Sequence, residues 1–278
     1  MTEMQPALDH NARVHVTSVI DRRDVAPGVI SLGFRAPELA RAARGGQYVM
    51  AVPPAGEAAA VALGIYESHD DRISLLFFLT GKRTRELGAL RPGDELSMFG
   101  PLGNGFDLSK PPKRATIVAG GVGIASVLLV AEELLRAGSR VELLYGARSS
   151  AYLVDAKRFA RLGCEVVVST DDGSAGHHGF ITQLLERREP PELLLACGPS
   201  PMLRAVAASA ERMGVRAQLS LEETFACGVG GCWGCVVPLS AESAQAPSFP
   251  PSDRGGSDVV YARICKEGPV FWSDELRW

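Results

Sequence analysis

Three of the six cysteines in this 278-residue chain crowd into one short stretch, ETFACGVGGCWGCVVPL, at residues 223–239. Cys227, Cys232 and Cys235 have the spacing C-x4-C-x2-C, and Cys265 follows after a long gap. Thiolates at this spacing can ligate a plant-type [2Fe–2S] core. The chemistry needs a short loop that folds around an inorganic centre and turns its N–H groups toward sulphur. Glycine allows both the close approach and a positive φ, and Gly228, Gly230, Gly231 and Gly234 supply it. A structural zinc usually shows two short cysteine pairs, and here there is one. Zinc, and free thiols or a disulfide, stay open as alternatives. Cys164, entering an apolar run in RLGCEVVV, is an ordinary core cysteine.

A second group of segments could hold a nucleotide. AGGVGIAS joins an apolar run to a helix-period run, and its Gly120, Gly121 and Gly123 place N–H groups where a pyrophosphate could sit. Ser126 breaks the full G-x-G-x-x-G pattern, so a tight strand–helix turn is an equal reading. ACGPSPML follows another apolar run, which would set Cys197 and Gly198 at the carboxyl end of a strand, facing a crevice. Cys197 alone would be a small core residue. In STDDGSAGHHG, Asp171 and Asp172 could reach a ribose or cap a turn, while His177 and His178 read as solvent-facing loop residues. Gly100, Gly103 and Gly105 in MFGPLGNGF mark a turn where two domains would meet.

Those residues need a scaffold, and the pattern along the chain supplies one. Six short alternating runs between residues 10 and 110 predict strands of a Greek-key β-barrel, with one brief helical candidate, TRELGAL. KPPKR is a linker. From 112 to 217, apolar strand-length runs alternate with helix-period segments that end at glycine, which predicts a parallel sheet covered by helices. Residues 218–278 show little regular pattern; they hold the cysteines and a Ser/Pro-rich stretch, 240–258, that reads as a mobile loop. The net charge of −3 gives no footprint for nucleic acid or an acidic membrane. MTEMQPALDH lacks the apolar core of a signal peptide, and the longest apolar runs are too short to span a bilayer. A soluble cytoplasmic protein is the expectation.

Taken in order, GKRTREL, GPLGNGF, GGVGIA, LLYGAR, TDDGS, CGPSPML, EETFACGVGGCWGCVVP and RICKEGPVF resemble one family across about residues 12–275. The chain is similar to the electron-transfer subunits of NAD-dependent (class 1B) dihydroorotate dehydrogenases, within the ferredoxin–NADP reductase superfamily. The resemblance implies an FAD-binding barrel, an NAD-binding α/β domain and a C-terminal [2Fe–2S] domain with Cys227, Cys232, Cys235 and Cys265 as ligands. It implies a partner, an FMN-containing catalytic subunit of dihydroorotate oxidation in pyrimidine biosynthesis, assembled as a heterotetramer. Another flavin/iron–sulphur subunit of the superfamily, or a flavin-free scaffold holding the cluster, are the alternatives. GKRT, with Gly81, Lys82, Arg83 and Thr84, stands at a flavin-phosphate motif similar to Gly-Lys-Gly-Thr, so Arg83 replaces a glycine. The family's Arg-Pro-x-Ser flavin motif corresponds to a stretch containing Ala62, Leu63, Gly64 and Ile65, with neither arginine nor proline. Trp233, between two cysteines, is expected on the outer side of the cluster as an anchor for the partner, with Phe271 and Trp272 nearby; the other reading packs its ring into the core.

Overall fold

The computed structural model describes residues 12–54, 59–247 and 258–278. The first eleven residues, and most of the stretch expected to be a mobile loop, lie outside the described residues.

The N-terminal alternating runs pair as six strands: β1 (Arg13–Ala26), β2 (Val29–Arg35), β3 (Tyr48–Val52), β4 (Val61–His69), β5 (Arg72–Phe78) and β6 (Glu95–Leu102). They close into an antiparallel barrel in the order β1-β2-β5-β4-β3-β6. The period of two puts Leu32, Phe34, Ile65, Leu75 and Met98 inside, all buried. Two short helices punctuate the barrel, α1 (Pro37–Ala42) and α2 (Lys82–Gly88). The first had no signal in the pattern because six residues are too few to show a helical period.

Beyond the linker come β7 (Arg114–Gly120), α3 (Leu128–Arg136), β8 (Arg140–Ala147), α4 (Ala156–Leu162), β9 (Glu165–Thr170), β10 (His177–His178), α5 (Thr182–Leu185), β11 (Leu193–Cys197), α6 (Ser200–Met213) and β12 (Ala217–Ser220). The C-terminal segment adds β13 (Val236–Ser240), β14 (Val259–Arg263) and β15 (Val270–Trp272). One sheet runs β10-β9-β8-β7-β11-β12-β15, parallel except for β15. The strand order turns back between β7 and β11, and a crevice opens at the carboxyl ends there. His177 and His178 are an edge strand beside β9, not loop residues.

The C-terminal segment is more regular than its sequence pattern. β13 and β14 form an antiparallel ladder of their own, and β15 leaves it to extend the α/β sheet. Phe271 is therefore fully buried at 0 % exposure, and the Trp272 ring lies beneath Arg216, 3.6 Å from guanidinium to ring centre. Neither belongs to the surface around Trp233, contrary to expectation. Pairing with β12 buries Phe271, a stronger apolar gain than exposure beside the cysteines.

Candidate functional site

Ladder register brings the cysteines together. Val236 pairs with Arg263 at the end of the β13–β14 ladder, so just outside it Cys235 comes opposite Ile264, the residue before Cys265. The Ile264 N–H donates to the Cys235 carbonyl (2.7 Å) and the Cys265 N–H to Cys235 Sγ (3.4 Å). The long gap between them is thus closed by strand pairing, whatever the length of the connection. On the other side, the Gly231 N–H donates to Cys227 Sγ (3.3 Å). Although burial opposes it, hydrogen bonding from the Val229 and Cys232 N–H groups, the Cys232 side chain and the Gly231 N–H brings the Cys227 pKa down to about 6. Burial and the neighbouring Cys235 push that of Cys265 up. Main-chain bonding thus sets Cys265 beside Cys235, and Gly231, next to Cys232, beside Cys227. Among the described residues no three metal-ligating side chains form a ready-made single-metal site.

The glycines of the loop divide by role. Gly230 has φ +82°, and a β-carbon there would strike the Lys266 side chain; a β-carbon on Gly228 would strike Met50 of the barrel. Gly231 and Gly234 show neither constraint. Trp233 takes φ +56°, a conformation uncommon for a bulky side chain. Its ring is 37 % exposed and stacks on the Arg263 guanidinium, 4.5 Å from the ring centre. It lies outside the core, as the anchor reading expects.

Three contiguous cavities lead away from this loop. The first, about 390 Å³, is lined by Ala60–Ala62, Gly81–Thr84 and Glu223–Phe225. The next, about 330 Å³, adds Tyr48, Leu63, Gly64, Ser126, Leu221 and Pro269. The largest, about 760 Å³, lies at the strand ends, walled by Gly120, Gly121, Ala147, Tyr152, Asp171 and Met202. Thr80 borders all three. Of the four positions matching the family's flavin motif, Ala62, Leu63 and Gly64 line the middle cavity, whereas Ile65 is buried in the barrel core.

The two departures from the flavin motifs face one space. Arg83 Nη1 donates to the carbonyls of Ala59 (3.4 Å) and Ala60 (3.3 Å), just before Ala62. Among the described residues it pairs with no carboxylate. The Thr84 hydroxyl accepts from the Gly81 N–H (3.0 Å) and donates to the Gly81 carbonyl (3.1 Å), so it caps α2. Lys82 pairs with Glu86 at 3.9 Å.

At the large crevice, Gly120 and Gly121 form the wall, but Gly123 lies beneath it: a β-carbon there would collide with the Cys197 carbonyl. Cys197 and Gly198 do not face the crevice. Both are buried where β11 packs under Gly120, and Pro199, Pro201 and Met202 line the space instead. The Cys197 thiol lies 3.7 Å from Glu222 Oε1, and burial, then the Glu222 charge, raises its pKa. Glu222 is exposed and opens onto two cavities, and desolvation by the cavity walls raises its own pKa. Asp171 borders the crevice; Asp172 caps a turn through Ser174.

Sequence reasoning missed Tyr48, Asn104, Glu222 and Arg263. Asn104, in GPLGNGF, donates to the carbonyls of Glu267 (3.0 Å) and Val270 (2.9 Å) and accepts from the Val270 N–H (3.0 Å). That turn is therefore where the barrel grips the segment after Cys265. Its place among turn glycines was the only signal.

Residues 117–208 match the family model described as oxidoreductase NAD-binding domain. The "Dihydroorotate dehydrogenase B (NAD(+)), electron transfer subunit" of Desulforamulus reducens is 32% identical over 91% of this chain and 94% of its own length. The protein of that name from Caldanaerobacter subterraneus is 35% identical over 76% of this chain and 78% of its own. Among solved structures, a chain of the NADH-dependent reduced ferredoxin–NADP oxidoreductase superposes with a TM-score of 0.79 at 26% identity, covering 94% of this chain and 90% of that one. The ferredoxin reductase of carbazole 1,9a-dioxygenase shares the fold at a TM-score of 0.64 and 21% identity, over 73% of this chain and 67% of that one.

Proposed function

The chain belongs to the dihydroorotate dehydrogenase B (NAD(+)) electron transfer subunit family, and from that premise we propose that it carries electrons from a partner dehydrogenase to NAD⁺ through a [2Fe–2S] cluster and FAD. The partner would be the FMN-containing catalytic subunit that oxidises dihydroorotate for pyrimidine synthesis, in a heterotetramer. One observation carries this reading. Tyr48 lines the middle cavity, and its hydroxyl lies 2.8 Å from the carbonyls of both Gly228 and Cys265. A single side chain thus separates the flavin-sized space from the cysteine set, and the same space opens into the strand-end crevice at Phe78, Thr80, Val122 and Glu222.

The residues fit the groups. The C-x4-C-x2-C spacing with a distant fourth cysteine suits a core with two irons better than one tetrahedral zinc. Arg83 places a cation on the cavity from which the Arg-Pro-x-Ser arginine is missing, so FAD phosphates would meet Arg83 and Lys82 in place of a barrel arginine. When bound, a flavin exchanges hydride with a nicotinamide and single electrons with a cluster. The protein supplies placement. Gly121 opens the crevice wall, and Phe78 and Tyr152 give it apolar sides that exclude water. Loop N–H groups donate to cysteine sulphur.

The outer face of the β13–β14 ladder suits the partner. Register puts Val236 opposite Arg263 and Pro238 opposite Tyr261 on one face, where Val236 and Tyr261 are exposed and Trp233 covers Arg263. Exposed aromatic and apolar side chains around a redox loop are the composition of an interface centre. The extensive match to the NADH-dependent ferredoxin–NADP oxidoreductase chain supports a second reading, a different redox partner on the same frame. Anaerobic addition of NADH to the purified chain should bleach both flavin and cluster absorbance. Cluster bands with no flavin, and no response to NADH, would instead support a flavin-free scaffold. Co-purification with a dihydroorotate-oxidising subunit separates the two enzyme readings.

A further inference from the structure

Arg263 ends β14, two residues before Cys265, and its side chain is 15% exposed. The N–H groups of Lys266 and Glu267 both donate to its carbonyl at 2.9 Å, so residues 263–267 form one tight turn around Cys265. The Arg263 N–H donates to Glu267 Oε2 (2.7 Å), Nε donates to the same oxygen (3.0 Å), and Nη2 pairs with Oε1. The other arm of the guanidinium crosses to the cysteine loop, where Nη1 donates to the Gly230 carbonyl (2.7 Å). Its flat face lies on Trp233. Glu267 is in turn held to the barrel end, since its carbonyl accepts from Asn104 Nδ2 (3.0 Å).

One guanidinium therefore touches the loop bearing Cys227, Cys232 and Cys235 at two points, and the turn bearing Cys265 at two more. It also stacks on the one residue of the loop, Trp233, whose left-handed backbone glycine would adopt more easily. Arg263 stands two residues before Cys265 and is bonded across to Gly230, so its charge sits beside the cysteine set. We propose that Arg263 is the positioning residue of the cysteine site: its fork fixes the separation of the two cysteine-bearing segments, and its charge favours the reduced, more negative form of the cluster they hold. Glu267 orients that fork and partly offsets the charge. This rests on the [2Fe–2S] reading above.

The two effects separate by substitution, because lysine keeps the charge but cannot span Gly230, Glu267 and the Trp233 ring together. The full-length chain, purified anaerobically, is measured for its midpoint potential by EPR-monitored titration and for the rate of iron loss to a chelator. Arg263→Gln should lower the midpoint and speed iron loss by about 10-fold or more, the scale on which residues supporting metal ligands act. Arg263→Lys should speed iron loss similarly while keeping a midpoint near that of the native chain. Glu267→Gln should move the midpoint the opposite way, upward. An Arg263→Gln protein with native midpoint and native iron retention overturns the proposal. So does a midpoint that moves in the same direction in all three variants, which would report general loosening. A native chain that holds zinc, or no iron and sulphide, overturns the cluster reading itself.

Discussion

The Tyr48 hydroxyl lies 2.8 Å from the main-chain carbonyl of Cys265, so a barrel strand grips the turn that carries the fourth cysteine. The carbonyl of Gly228 lies at the same distance, and the single phenolic proton can serve one of them at a time. Tyr48 is buried and its ring meets Phe225 at 5.1 Å between centres. Tyr48→Phe keeps that packing and removes the donor. It should cost about 1–3 kcal/mol, the penalty of leaving a buried carbonyl unpaired. The urea midpoint would measure it, and an unchanged midpoint would mean the hydroxyl does not hold the cysteine segments.

Arg83→Gln should weaken FAD binding by roughly 10-fold or more, as expected for a lost charge-assisted hydrogen bond. Riboflavin, which carries no phosphate, should bind the variant and the native chain alike. Calorimetry with both ligands checks this. Equal FAD affinity in variant and native chain would show that Arg83 is not the phosphate cation.

Gly123→Ala should destabilise the α/β domain by about 1–3 kcal/mol or more, since the new methyl meets a main-chain carbonyl that cannot move aside cheaply. The thermal unfolding midpoint is the readout. Gly121→Ala, which meets no neighbour within 4 Å but keeps φ +54°, should cost only the strain of that backbone conformation. If the two variants are equally stable, the close packing of Gly123 on Cys197 is not what requires glycine.

The sequence pattern carried the barrel because its strands have one buried and one open face, and the period of two survives in runs such as RISLLFF. The C-x4-C-x2-C spacing was legible because it is local. What joins these parts was not. Tyr48 reaches Cys265 across 217 positions and Asn104 reaches Val270 across 166, and neither residue type nor spacing signals such a contact. β13 and β14 are five residues each and separated by a Ser/Pro-rich stretch, so no continuous period announced their pairing. Cys197 followed a strand as expected, but strand ends can turn under a neighbour as well as toward a crevice. Glycines at 120 and 123 permitted the former.

Trp233→Ala should leave the visible spectrum of the cluster intact and weaken association with the catalytic subunit by roughly 2 kcal/mol or more, the range of interface hot spots. The exposed ring and its neighbours Val236 and Tyr261 motivate this. Calorimetry of the reconstituted complex measures it. Unchanged affinity would place the docking face elsewhere.

The central claim is that one chain holds a two-iron cluster and a flavin next to each other. Iron, acid-labile sulphide, zinc and released flavin should be measured on the same anaerobic preparation. The account predicts iron and sulphide in equal amounts, two of each per chain, together with FAD, and loss of the cluster absorbance in Cys265→Ser. One zinc per chain without sulphide, and no flavin, would contradict it.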